Sequence, residues 1–449
     1  MTSPFAPFRH RVFAAFWTGA FLSNVGTQME AFAIGVYVTT RTGEAGWTGL
    51  VAAAAFVPGG LLGPVGGALA DRFPRKALLL TTTTIQIAFA ALLTVLTAGG
   101  SPSAAVVTLI VFASGCANAI GFPAYQSVLP DLVPREDLVG AIALSSAQWN
   151  LGRVIGPVLA GVAIGFGGYA WVFGINTVSF VAVILAIMAL RLPKPNPDGS
   201  SILRSIKQGL GYARRDPGIR VVVGYMLLTT FLAAPFIALV PYMSLEVLDA
   251  GKFGTSVLVA TIGIGAVTMA LGLGNLAARF GSRRVLLATV WALPVALTIY
   301  SLMPNLGLAA LGLFLVAVTY FGALSSFLSI GQLRAPTEIR GRVVSILALI
   351  LGTLYPLGSI LQGEIADVIG LRETTLIAAG LMLLALLALR LRNSRFADAI
   401  DEPPAPLDAA ASATPSSPAR PDGPEAVEVP VLPVDPASPG IPIPSADPS

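Results

Sequence analysis

Two ionisable side chains lie well inside long apolar stretches of the sequence: Glu30 in the first stretch and Arg153 in the fifth. A charge in hydrocarbon is costly, so each is a candidate functional residue by default. Counting about 1.5 Å per helical residue places the two at similar heights, so an ion pair between them is geometrically possible. Two interpretations stay open. Either Glu30 carries a proton that it exchanges as Arg153 approaches, or the two residues form a fixed structural pair.

A second group of charges interrupts the apolar sequence in GALADRFPRK, residues 67–76. The cations Arg72, Arg75 and Lys76 are what topology rules place in a cytoplasmic loop between two membrane spans. Asp71 needs another explanation, because acidic residues contribute little to topology. The stretch therefore contains cations that place this loop on the cytoplasmic side of the membrane, and one carboxylate that the topology rules do not explain.

Asp71 is a candidate gate residue. It could meet the positive N-terminus of a helix formed by the apolar stretch at about residues 343–366, or pair with Arg340 or Arg342, which precede that stretch. Such contacts could form in one conformation of the protein and break in another. The alternative is a loop that only obeys the topology rule.

The elements that must position these charges are membrane-spanning helices. The chain has 449 residues, of which 55% are hydrophobic and only 11% charged, and its mean hydropathy is +0.80. Because an average soluble domain carries about 25% charged residues, the bilayer is the expected solvent. We predict an all-α integral membrane protein with twelve spans, at roughly 13–39, 47–70, 77–98, 103–128, 140–166, 169–190, 219–245, 254–278, 285–303, 307–330, 343–366 and 372–390.

The loops between these spans alternate sharply in charge. One set of loops holds 22 of the 27 Lys and Arg residues, whereas the other set holds only Arg41, Lys252 and Arg372. The positive-inside rule then predicts a multi-pass plasma-membrane protein with both termini in the cytoplasm. Because the basic residues lie between apolar stretches, they are no argument for a nucleic-acid partner.

Two short matches indicate an internal repeat. The stretch at 67–76 aligns with GNLAARFGSRR at 274–284, an offset of 207, although Ala replaces Asp71 in the second copy. GRVIGPVLAG at 152–161 aligns with GTLYPLGSILQG at 352–363, an offset of 202 between their matched glycines. Two matches at nearly one offset predict two six-helix halves with a binding site between them.

Four segments follow from this pattern. The N-terminal half spans residues 1–192 and the C-terminal half 219–392, with a cytoplasmic linker at 193–218. Within the linker, SILRSIKQGLGYARR has one apolar face, which predicts an amphipathic helix on the membrane surface; the alternative is a solvated linker helix. Residues 393–449 are rich in Pro and Ala and predict a disordered cytoplasmic tail.

At this point the chain resembles the major facilitator superfamily over about residues 8–392. The superfamily's loop signature G-x-x-x-D-R-x-G-R-[RK] is matched between spans 2 and 3, with Pro74 in place of a glycine. The fifth span resembles the antiporter signature G-x-x-x-G-P-x-x-G-G, with Ala160 in place of a glycine. The matching residues are Gly67, Asp71, Arg72, Arg75 and Lys76 in the loop, and Gly152, Gly156, Pro157 and Gly161 in span 5.

The chain looks most like the twelve-span drug and siderophore:proton antiporters, the branch of the macrolide-efflux and enterobactin-exporter proteins. This resemblance implies a proton-coupled exporter of amphiphilic drugs, or of a secreted metabolite such as a siderophore, that works by alternating access. The expected partners are a small-molecule substrate and the lipid bilayer, with the chain acting as a monomer. Two alternatives remain: uptake or exchange of a specific nutrient, and a non-transporting membrane sensor or scaffold.

Enzymatic chemistry has little support in the sequence. There is one histidine, His10, and one cysteine, Cys116, so no histidine-based metal site or intrachain disulfide is expected. No phosphate-binding GxxxxGK[ST] loop occurs, which disfavours an ATP-driven pump. We therefore expect no cofactor or metal, and a cavity whose few charges suit a bulky amphiphile better than a small ion.

Overall fold

A computed structural model describes residues 5–190, 192, 210–337, 339–393 and 395–404, and these residues are helical apart from short connections. Helix Leu138–Ala189 bends at Gly167 and Gly168, so we number its two arms α5 (138–166) and α6 (169–189). The other helices are α1 Arg11–Thr42, α2 Ala45–Arg72, α3 Arg75–Gly99, α4 Ala104–Val128, α7 Pro217–Val247, α8 Gly251–Phe280, α9 Ser282–Leu302, α10 Leu306–Arg334, α11 Arg340–Ile369 and α12 Leu371–Arg392.

Ten stretches of the described chain are long and apolar enough to cross a membrane: every helix except α1, with α5 and α6 counted together. Helices are the natural outcome for such sequences, because hydrocarbon offers no partner for an open backbone group. The predicted all-α membrane protein is thus confirmed at this coarse level. The predicted helix bounds differ from the observed bounds by only a few residues, while the count of twelve spans stays a prediction.

The bend between α5 and α6 depends on glycine. Gly168 has φ +74°, in the left-handed region that side chains other than glycine rarely adopt. The bend falls at residues 166–169, where the hydropathy pattern separates the fifth and sixth predicted spans. A second glycine with positive φ, Gly370 at +94°, is the single residue between α11 and α12.

The predicted linker and tail are described only in part. Residues 193–209, with most of the predicted amphipathic helix, lie outside the described residues, and residues 210–215 are helical. The tail was predicted to be disordered from residue 393, and that boundary is wrong. Residues 396–400 form a short 3₁₀ helix, because Phe396 packs edge-to-face on Tyr225 and two carboxylates nearby pair with a cation of α9. Residues 405–449 lie outside the described part.

Buried apolar side chains form separate clusters along the chain. The largest cluster joins α7–α12 and includes Leu258, Leu293 and Phe327, whereas a second cluster draws on residues 25–173. We call the end of the bundle with the α2–α3, α4–α5 and α8–α9 connections the basic end, and the opposite end the distal end. Helix α2 runs from the distal end to the basic end, and α11 runs the other way.

Candidate functional site

The distal ends of α2 and α11 are joined by a carboxylate. Asp367 accepts a hydrogen bond from the backbone N–H of Ala45 at 2.6 Å and another from that of Gly46 at 2.7 Å. These are the first two residues of α2, whose N–H groups have no partner within the helix and carry the positive end of its dipole. The side chain at the end of one helix therefore caps the start of the other.

Glycines bring the two backbones together below this cap. A Cβ on Gly49 would clash with the carbonyl group of Ser359, whose carbon would lie only 2.9 Å away. Further along, a Cβ on Gly60 would lie 3.1 Å from the carbonyl carbon of Gly352. Small residues permit such close helix contact in membranes, so this seam closes the distal half of the α2–α11 pair.

Towards the basic end the same two helices separate. Gly63 and Gly67 of α2 have no atom of a neighbouring element within 4 Å of where a Cβ would stand. Asp71 is exposed, and in the described chain it forms no ion pair with Arg340 or Arg342. The structure therefore does not bring the predicted gate residues together.

The cations of the loop signature lie on different elements. Arg72 is the last residue of α2 and is exposed, while Arg75 and Lys76 begin α3. Arg75 pairs with Asp131 at 3.1 Å. Lys76 donates to the carbonyl oxygens of Met188 at 2.5 Å and Leu190 at 2.9 Å, so it caps the C-terminal end of α6. Arg75 and Lys76 thus tie together helices of the N-terminal part.

Glu30 faces α6. Its Oε2 accepts a hydrogen bond from Nδ2 of Asn176 at 2.7 Å, and Asn176 is fully buried. Ser179 donates in turn to Oδ1 of Asn176 at 3.0 Å. Gly26, one turn earlier on α1, leaves the space that Asn176 and Ser179 occupy.

Arg153 faces a different way. Its side chain is exposed, and its guanidinium carbon lies 5.9 Å from the centre of the Phe321 ring on α10. Within the described ranges it has no hydrogen bond and no ion pair, so the pair with Glu30 is not formed in this structure. The role of Glu30 in proton coupling stays a prediction.

The glycines of the span 5 signature serve helix contacts. A Cβ on Gly152 would clash with the Asn24 amide of α1, which donates to the Gln148 carbonyl at 3.0 Å. A Cβ on Gly156 would lie 3.1 Å from the backbone of Met29, also on α1. Gly161 faces Ser256 of α8, and Pro157 is buried between these contacts.

One buried ion pair was missed by the sequence analysis. Arg334, at the end of α10, donates through Nε and Nη2 to both carboxylate oxygens of Asp216, at 2.8 and 3.0 Å. The two side chains are 8% and 0% exposed. The remaining Arg334 nitrogen donates to the carbonyl oxygens of Ile400 at 2.6 Å and Glu402 at 2.8 Å. Arg334 and Asp216 are 118 residues apart in the sequence, so their opposite charges were the only signal that they could pair.

The surroundings of this pair also affect Tyr212, which precedes α7. Its hydroxyl donates to the backbone oxygen of Arg334 at 3.3 Å. Burial raises the pKa of the Tyr212 phenol, and the negative charge of Asp216 raises it further while Arg334 opposes the rise. The phenol therefore keeps its proton and remains a donor at the basic end of α10.

Replacing Arg334 by Gln is expected to lower the free energy of unfolding by roughly 3–5 kcal/mol, because Asp216 loses the cation with which it is buried. Arg283→Gln is the matched control. Arg283 pairs with Asp398 and Asp401, whose side chains are 53% and 63% exposed, so its loss should cost about 1 kcal/mol or less. Denaturant unfolding of both variants in detergent measures the difference, and equal effects would contradict the structural role.

No cluster of three or more His, Cys, Asp or Glu side chains that could hold a metal occurs in the described ranges. The arrangement instead offers a seam that is closed at one end, a hydrogen-bonded carboxylate, and an exposed cation between helices. Such parts can open and close a path and bind a solute within it.

The chain is similar in sequence to known membrane proteins. A family model described as transmembrane secretion effector matches residues 2–414. Macrolide efflux protein A of Streptococcus pyogenes is 26% identical over 384 residues, which cover 83% of this chain and 93% of that protein. The multidrug efflux pump Tap of Mycolicibacterium fortuitum is 28% identical and covers 87% and 97%. The enterobactin exporter EntS of Citrobacter koseri is 30% identical and covers 74% and 80%.

Solved structures of transporters share the fold. The nucleoside transporter NupG superimposes with a TM-score of 0.68 at 13% identity, covering 85% of this chain and 98% of that one. A bacterial homologue of the iron transporter ferroportin, in an inward-facing state, gives 0.61 at 19% identity, covering 84% and 98%. At these identities the likeness establishes the fold alone.

Proposed function

The chain belongs to the transmembrane secretion effector family of the major facilitator superfamily, and on this premise we propose that it exports a small amphiphilic molecule by alternating access, coupled to the proton gradient. It is a multi-pass membrane transporter, not an enzyme. Export is supported by the relatives, which are named as macrolide, multidrug and enterobactin efflux proteins.

The observation that carries alternating access is the asymmetry of the α2–α11 seam. It is closed by Asp367 and the glycines at the distal end, and it is open beyond Gly63 at the basic end. A path that is closed at one end and open at the other is one of the two states that alternating access needs. We assign the basic end to the cytoplasm, with both termini on that side, because its loops carry most of the Lys and Arg.

The opposite state, closed at the basic end, can be inferred from the same pairing of residues between α2 and α11. Gly60 meets Gly352, and the helices are antiparallel, so eleven residues further along α2 stands Asp71 and eleven residues back along α11 stands Gly341. Arg340 and Gly341 are the first two residues of α11, as Ala45 and Gly46 are of α2. Asp71 would therefore cap α11 at the basic end when the distal cap by Asp367 is released.

Several features support two six-helix halves and twelve spans. Gly168 between α5 and α6 and Gly370 between α11 and α12 both have positive φ and lie 202 residues apart, the offset of the matched glycines. Gly43 after α1 and Gly251, the first residue of α8, also have positive φ. Because one such path can be enclosed by a single chain with two halves, we propose that the monomer is the functional unit.

Export is tested by reconstituting the full chain in liposomes loaded with a fluorescent amphiphile and imposing a pH gradient. We expect flux that depends on the gradient and is lost when a protonophore dissipates it. Glu30→Gln should retain binding of the dye but lose the dependence on the gradient, if Glu30 carries the coupled proton. Flux only into the cytoplasmic side would indicate nutrient uptake, and no flux of any solute would indicate a sensor or scaffold.

A further inference from the structure

Arg153 lies near the middle of its helix and extends towards the other half of the chain. It stands fifteen residues after Leu138, about 22 Å along the 29-residue arm α5. Its guanidinium lies over the ring of Phe321, which belongs to α10. The side chain thus crosses between the two proposed halves at mid-height, the level at which transporters of this kind bind their substrates.

The charge of Arg153 is not balanced by a nearby acid. Glu30 is the other Asp, Glu, Lys or Arg residue well inside the spans of the described chain, and it is hydrogen-bonded to Asn176 between α1 and α6. The carboxylates of the α2–α11 seam, Glu364 and Asp367, lie beside Gly46 at the distal end. Among the described residues, Arg153 is therefore an exposed positive charge at mid-height with no carboxylate beside it, and such a charge is costly unless a partner arrives.

The surroundings of Arg153 are aromatic. Trp149 lies one turn earlier on the same face of α5 and packs edge-to-face on Phe122 of α4. The ring of Phe321 beneath the guanidinium supplies some cation–π stabilisation but no hydrogen-bond acceptor. The five N–H donors of Arg153 have no hydrogen-bond acceptor among the residues that the structure describes, and the side chain is exposed.

We propose that Arg153 binds an acidic oxygen group of the transported molecule, so that the cargo is an amphiphilic anion with a carboxylate or phenolate beside an apolar or aromatic body. The inference rests on the proposed transport function and narrows its substrate class. A guanidinium can hold a carboxylate through two parallel hydrogen bonds, and such bonds are strongest where water is excluded. Binding would neutralise the central charge before the halves move.

The test uses two probes that differ only in charge: pyrenebutyrate and its primary amide. The purified full-length chain should bind the carboxylate at least about tenfold more tightly than the amide, measured by fluorescence titration. Arg153→Gln should weaken binding of the carboxylate probe only, so that the two affinities come within about twofold of each other. Arg153→Lys should keep part of the preference for the carboxylate. Arg220→Gln, which removes an exposed cation at the basic end, is the control and should change neither affinity.

The proposal is overturned if the unaltered chain binds both probes equally or neither of them, or if Arg153→Gln keeps the preference. Size-exclusion profiles show whether a variant has folded. If Arg153→Gln does not fold, Arg153→Lys takes its place. A folded Arg153→Lys chain that has lost the preference for the carboxylate contradicts the proposal. Flux in liposomes separates the two proposals. If the chain binds the carboxylate selectively but transports neither probe, export is contradicted and the anion site is still supported. If it transports both probes equally, export is supported and the anion site is contradicted.

Discussion

Replacing Asp71 by Asn is expected to lower transport at least about tenfold while leaving expression and folding normal. The substitution keeps the size of the side chain and removes its charge. In the open state Asp71 has no ion-pair partner in the described chain, so folding does not depend on it. In the state closed at the basic end, Asp71 would accept from the first N–H groups of α11 and lie beside Arg340 and Arg342.

The size of the effect follows from the energy of those contacts. A hydrogen bond to a charged group contributes about 1.5–3 kcal/mol, and about 1.4 kcal/mol shifts an equilibrium tenfold. Without the carboxylate the basic end would stay open, and each cycle would wait for a rare closure. The second-half copy of the motif has Ala278 at the matching position, so no symmetric carboxylate can substitute.

Flux in liposomes per reconstituted molecule measures the loss of transport. Pulsed electron-spin distances between labels at the basic ends of α2 and α11 measure the shift of the equilibrium towards the state that is open at that end. Labels go on a Cys116→Ser background. Asp249→Asn is the matched control, since this exposed carboxylate lies in the distal connection before α8 and should transport normally. Full transport by Asp71→Asn would refute the gate and leave the loop with a topological role only.

The second large effect is expected from one methyl group. Gly49→Ala should reduce transport at least about tenfold, because its Cβ would collide with the Ser359 carbonyl, and both atoms belong to rigid helix backbones. The helices would have to move apart, so the distal seam could no longer close. Gly59→Ala is the matched control: it lies on the same helix, and a Cβ there meets no atom within 4 Å.

Distances between labels at the distal ends of α2 and α11 should increase in Gly49→Ala and stay unchanged in Gly59→Ala. Gly60→Ala should be intermediate, because its nearest contact with Gly352 is 3.1 Å. If Gly49→Ala transported as fast as the unaltered chain, the seam would not be a gate. If all three variants were equally impaired, general helix packing rather than the seam would be responsible.

Most of the helical framework could be predicted from the sequence. In hydrocarbon a helix satisfies its own backbone, so hydropathy alone located the helices and the bend at Gly168 to within a few residues. Loop charges indicated which helix ends lie together, and Asp71 was singled out as a candidate gate residue because topology does not require it. The tail boundary was misplaced, since composition does not reveal that Phe396 would find Tyr225.

The partners of the charged residues were decided only by the tertiary structure. Hydropathy fixes where a helix lies along the chain but not its rotation, which packing of small residues sets. That rotation turned Glu30 towards Asn176 and Arg153 towards Phe321, although their heights alone allowed a pair. It also placed Asp367 against the start of α2, more than 300 residues away in sequence, where the free N–H groups of a helix end bind a carboxylate.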